Sequence, residues 1–166
     1  MIKGILKALD TLLGPLCALV FVALLLDVLW GVFTRYFLGD QARWTEECAR
    51  FLMVWLAFLG AALAYTRQAH LGVDILVARM DPQARRIALL VEHAVVFLFA
   101  VLVLGYGGGE LFRERFASGQ TMPALGILKA WQYFCLPVSG ALIGLIAIGH
   151  FAETLLAKPQ DGEVLP

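Results

Sequence analysis

The chain has 166 residues, 61% of them apolar and only 16% charged, and its formal net charge is zero. A soluble domain carries about a quarter of its residues as charges, so this balance excludes an aqueous single domain. Backbone in lipid must satisfy its own hydrogen bonds, and the sequence lacks the alternating pattern of a membrane barrel, which leaves helices.

Taken in chain order, Met1 to Asp10 places Ile2, Ile5, Leu6 and Leu9 on one helical face and Lys3, Lys7 and Asp10 on the other. Such a piece suits the membrane interface or a plain extension of the first helix. Leu12 to Tyr36 is broken by Asp27, with Arg35 at its end. It is too long for the apolar region of a cleaved signal, and no small-x-small site closes it before Asp27 and Trp30, so the first helix is expected to be retained.

Arg43 to Leu76 is the densest segment. Its apolar heart, Phe51 to Thr66, falls short of the roughly 20 residues a hydrocarbon slab needs, so the helix has to extend. Extending it backward puts Arg43 four residues before Glu47 and Glu46 four before Arg50, the spacing of side chains stacked on one face. That spacing predicts two ion pairs. Gln68 to Met80 mixes apolar residues with His70, Asp74 and Arg79, as expected of a short interfacial segment.

Asp81-Pro82 reads as a helix start, with aspartate as cap and proline at the first position. Ile87 to Gly109 then supplies a third span, carrying Glu92 and His93. The link from Glu110 to Ala130 is polar, and Trp131 to Phe151 supplies a fourth span with Pro137 as a candidate kink. The expected fold is all-α, four transmembrane helices in one membrane domain over residues 1–158, with spans at about 12–36, 47–67, 86–109 and 130–152. A polar tail follows over 159–166.

Four spans put both termini on one side of the membrane. Lys3, Lys7, Arg67, Arg79, Arg85, Arg86 and Lys158 then stand against Arg35, Arg43, Arg50, Arg113, Arg115 and Lys129. The link between the second and third spans holds four arginines, so the positive-inside rule puts both termini in the cytoplasm.

Chemistry is scarce along the chain. Cys17, Cys48 and Cys135 are isolated and read as small packing residues. There is no P-loop, no GxGxxG after a strand and no nucleophile elbow, so no enzyme is expected. His93 and His150 lie at similar depths, which leaves open a haem ligated between two helices of a respiratory anchor subunit. Asp27 and Glu92 are intramembrane carboxylates, costly enough to be functional by default. A self-sufficient small exporter would gather such groups near the midplane, and the second and fourth spans offer almost none. Small residues at helical spacing do mark close-packing faces: Ala57, Gly60, Ala61 and Ala64 on the second span, Gly140, Gly144 and Ala147 on the fourth, and Gly105 and Gly109 on the third.

Several motifs in register resemble one family. They are Arg35-Tyr36, Trp44-Thr45-Glu46-Glu47-Cys48-Ala49-Arg50, the Trp55 to Gly60 segment, Arg67-Gln68-Ala69-His70-Leu71-Gly72-Val73-Asp74, and Gly119-Gln120-Thr121-Met122-Pro123-Ala124-Leu125-Gly126-Ile127 followed by Tyr133 and Leu136-Pro137. Together they are similar to the small membrane subunit (the DctQ-like Q component) of tripartite ATP-independent periplasmic (TRAP) transporters, over about residues 10 to 155. Where such proteins often carry a second proline, this chain has Ile127-Leu128.

The resemblance implies a scaffold in the bacterial inner membrane, working beside a large polytopic subunit that holds the sodium and substrate sites and moves as an elevator. A periplasmic protein would deliver the substrate, an organic acid such as a dicarboxylate or a sugar acid. By the same resemblance Arg35, Trp44, Glu46, Glu47 and Arg50 form an outer ionic and aromatic cluster, and His70 and Asp74 order the inner link. No cofactor is expected on this chain; membrane lipid is an expected partner and nucleic acid is not.

Overall fold

The computed structural model describes residues 2–40, 42–67 and 81–156. Among them the regular structure is helical: α1 (Ile2–Phe37), α2 (Arg43–Thr66), α3 (Pro82–Phe99), a π-helical stretch (Ala100–Gly107), α4 (Gly108–Ala117), α5 (Ala130–Tyr133) and α6 (Cys135–Leu156). Four stretches are long and apolar enough to cross a membrane: Leu6–Phe37, Arg43–Thr66, Gln83–Ala117 and Ala130–Leu156. The all-α, four-span architecture expected from the apolar runs is therefore the one observed. The link between the second and third spans, with its expected interfacial segment, lies outside the described residues.

The N-terminal amphipathic piece takes the second of its two expected forms, a plain extension of the first span, since α1 runs unbroken from Ile2 across Pro15. The third span does not end near Gly109: α3, the π stretch and α4 follow one another without a break to Ala117, and Glu110, Arg113 and Glu114 ride on the last helical turns. Alternating charges three apart, including the Glu110–Arg113 contact at 3.9 Å, suit an exposed helix end as well as a loop. Pro137, the candidate kink, falls in the first turn of α6, just after the interruption at Phe134 that separates α5 from α6 within the fourth span, and its missing N–H is tolerated there. Asp81 does precede a helix with proline at its start, but its side chain makes no capping bond.

The fourth span is the pillar of the bundle. Its most apolar window is 44% buried, against 17% in each of the other three, and it packs against α1, α2, α3 and the π stretch. Leu13 and Cys17 from α1, Leu59, Ala62 and Tyr65 from α2, Ala100 and Leu104 from the third span and Ile143, Ile146 and Ala147 from α6 form the shared core. Gly140 makes a close backbone approach possible. A Cβ there would sit 2.9 Å from the Ala100 carbonyl oxygen, the Gly105 nitrogen and Leu104 Cβ. Absence of a side chain thus lets α6 lie directly on the π stretch, the close packing that lipid-embedded helices rely on.

The small residues of α2 behave differently. Ala57 and Ala61 are exposed, and a Cβ on Gly60 would meet nothing within 4 Å. That face points out of the chain's own bundle, whereas the small residues of the fourth span point into it.

Candidate functional site

Polar structure concentrates at the loop end of the bundle, where α1 passes into α2 and the 118–129 loop returns. The turn between α1 and α2 is fixed by its own side chains. Thr34 Oγ1 donates to the Gly31 carbonyl (3.0 Å) and accepts the Ala42 N–H (3.3 Å), and Thr45 Oγ1 donates to the Ala42 carbonyl (2.7 Å). Gly39 supplies the positive φ of 74° that reverses the chain.

The 118–129 loop is equally well determined. Met122 N–H donates to the Ile127 carbonyl, Gly126 N–H to the Met122 carbonyl and Lys129 N–H to the Gln120 carbonyl, each at 2.8 Å. Gly119 (φ 64°) and Gly126 (φ 68°) take left-handed conformations open to glycine, and Met122 is buried beneath the turn. The turn leaves the N–H groups of Ala124 and Leu125 pointing outward. Glu47 Oε2 accepts both, at 2.9 and 3.1 Å. One carboxylate of α2 therefore clamps a loop that lies more than seventy residues away in sequence.

That clamp corrects the expected pairing of Glu47 with Arg43. Two preoriented backbone donors hold a carboxylate better than an exposed, flexible guanidinium, whose pairing yields little in water. The Glu46–Arg50 pair is not formed either; among the described residues the close ion contacts are Asp10–Arg67, Glu110–Arg113 and His150–Glu153. Arg43, Trp44, Glu46 and Arg50 instead stand exposed around an open cleft of about 660 Å³, floored by Glu47 and closed by Pro123 and Ala124.

Arg35 and Glu46 share a second groove of about 270 Å³ between α1 and α2, with Asp27 and Thr45 in its lining. Five of the seven predicted site residues, Arg35, Trp44, Glu46, Glu47 and Arg50, are thus brought to one end of the molecule. His70 and Asp74 lie outside the described residues. Sequence reasoning missed the role of Ala124 and Leu125, whose contribution is backbone alone. The Pro123 turn flanked by two glycines was the available signal.

A second polar cluster sits in the core toward the chain's termini. Tyr65 Oη and His93 Nδ1 are 3.0 Å apart, the His93 and His150 rings are 5.6 Å apart at 26°, and Glu153 approaches His150 Nδ1 at 4.0 Å. The two histidines do share a depth, as expected, but they lie against each other and against Tyr65 with 5% and 4% exposure. Nothing in that packing resembles a cleft opened between two axial ligands. Aromatic rings also gather at the loop end, where Phe112 packs on Phe134 (5.1 Å) and Trp131 (6.2 Å), residues suited to a membrane–water boundary.

Four apolar spans with one braced polar end define a multi-pass helical membrane protein. The sequence profile described as "Tripartite ATP-independent periplasmic transporters, DctQ component" matches residues 24–157. The chain belongs to this family, and it is a small permease subunit of a TRAP transporter in the inner membrane. It is 33% identical over 123 residues to the sialic acid TRAP transporter small permease protein SiaQ of Vibrio cholerae, covering 73% of this chain and 68% of that one. A putative TRAP transporter small permease protein of Haemophilus influenzae is 32% identical over 155 residues, or 93% of this chain and 88% of that one. The isethionate TRAP transporter permease protein DctMQ of Oleidesulfovibrio alaskensis is 31% identical over 107 residues, which are 64% of this chain but 16% of that protein.

Proposed function

We propose that this chain is the static scaffold of a sodium-driven TRAP importer for an organic acid, holding a large transport subunit in the membrane and presenting its loop end to the periplasm. The observation that carries this reading is the contrast between the two parts of the molecule. The spans are apolar and packed, with isolated rather than convergent carboxylates, whereas the loop end is a polar cleft rigidified by the Glu47 clamp. A carrier needs polar groups gathered at the midplane of broken helices. A scaffold needs a stiff frame and a recognition surface, and the loop end has both.

The partners follow from the same reading. The chain matches a small part of the long permease DctMQ, which supports a large polytopic subunit as neighbour. Substrate and sodium sites belong on that subunit, and no cofactor is assigned to this chain. The names sialic acid and isethionate, both acids, belong to relatives and support an acidic substrate class here. With the termini cytoplasmic, the cleft bounded by Arg43, Trp44, Arg50 and Pro123 faces the periplasm and helps receive the binding protein. Arg35 and Glu46 flank it.

The test is purification of the tagged chain from membranes that also contain the large subunit, followed by uptake measurements in proteoliposomes supplied with the periplasmic protein. Co-purification and uptake that requires an inward sodium gradient are expected. A chain that purifies alone and transports by itself would overturn the proposal. A haem-bearing respiratory anchor is not favoured, because the histidine pair is occupied within a packed side-chain cluster and the family is one of transporters.

A further inference from the structure

Among the described residues no cation pairs with Asp27. Its side chain is 7% exposed, both carboxyl oxygens are buried, and among the described residues no N–H or O–H donor reaches them, the Cys48 thiol being the one side chain placed to donate. It stands ten residues before the end of α1 at Phe37, about 15 Å down the helix, well inside the apolar span. The Cys48 thiol on α2 is its polar neighbour, and a thiol is a weak donor. Arg35 shares the groove but lies eight residues, about 12 Å, along the same helix, and it makes no ion pair with Asp27. A carboxyl group left this way in a membrane is costly enough that it faces a partner rather than lipid.

The groove beside it gives such a partner room. It measures about 270 Å³ and opens between α1 and α2, with Gly31 and Ala49 as small walls and Asp27, Arg35 and Glu46 as its charged residues. Those three sum to one excess negative charge. A cationic donor satisfies both the orphaned oxygens and the net charge, whereas a lipid tail satisfies neither.

We propose that the α1–α2 groove is a docking site for the large subunit, and that Asp27 receives a lysine or arginine side chain from one of its membrane helices. This rests on the proposed scaffold role and adds to it the face by which the scaffold is gripped. Truncating one member of a buried, hydrogen-bonded charge pair at an interface lowers affinity by well over about ten-fold.

The experiment is retention of the large subunit by the tagged chain in mild detergent, for the wild type, Asp27→Leu and the exposed-site control Asp40→Asn, with thermal melting of each small subunit alone. Asp27→Leu is expected to retain at least about ten-fold less large subunit and, alone, to melt at or above the wild-type temperature, since it removes an unpaired buried carboxyl. Asp40→Asn is expected to match the wild type. If the wild type itself retains no large subunit, the scaffold reading fails. If the wild type and Asp27→Leu retain it equally, only the groove assignment fails. Melting of isolated Asp27→Leu well below wild type, or retention that collapses when potassium replaces sodium, also overturns the assignment: the first means an internal partner, the second a bound ion.

Discussion

Glu47 on α2 accepts the backbone N–H of Ala124 at 2.9 Å, and the adjacent Leu125 N–H at 3.1 Å, so the second span and the last loop are held by one carboxylate. Bonds to an ionised acceptor are stronger than neutral ones. Breaking this one strands the two outward-pointing amides of the turn, whose other bonds do not replace it.

Glu47→Ala is therefore expected to lower stability by about 1–3 kcal/mol and to make the 118–129 loop sensitive to protease. Arg50→Ala, removing an exposed side chain with no ion pair, is expected to stay within about 0.5 kcal/mol. Thermal melting in detergent with limited proteolysis separates the two. Equal loss from both would mean that the arginine–glutamate pairing expected from helical spacing is the real brace.

The glycines make a second contrast. Gly140→Ala places a methyl group 2.9 Å from backbone atoms of the π stretch, an overpacking expected to cost about 1–3 kcal/mol. Gly60→Ala meets nothing within 4 Å and gains helix propensity of up to about 1 kcal/mol. Melting temperatures should fall for the first and hold or rise for the second. A neutral Gly140→Ala would show that α6 does not rest on the third span as described.

These two contrasts also show what could be read from sequence. Apolar run length gave the four spans, because lipid leaves the backbone little choice. Spacing alone correctly grouped Glu46, Glu47 and Arg50 at one helix end, yet assigned Glu47 the wrong partner. Its real partners are amides of Ala124 and Leu125, which carry no side-chain signature. Gly60 and Gly140 likewise look equivalent in sequence, and only the bundle order separates an inward face from an outward one. The third span ran past Gly109 because the charges of Glu110 and Arg113 suit an exposed helix end as well as a loop.

Tyr65 and His93 supply a third prediction. Tyr65→Phe removes a buried bond of 3.0 Å and is expected to cost about 1–3 kcal/mol, measured as a lowered melting temperature. The purified wild type is expected to show no Soret absorbance. A haem spectrum lost on changing His93 or His150 would overturn the packed-cluster description.

The proposed scaffold role makes the small subunit indispensable and incapable of transport alone. Omission from reconstituted liposomes tests that most directly: uptake of the acidic substrate under a sodium gradient, measured with all three components and with each left out. Uptake is predicted only when the large subunit, the periplasmic protein and this chain are all present. Flux through this chain alone, or full uptake in its absence, would contradict the account.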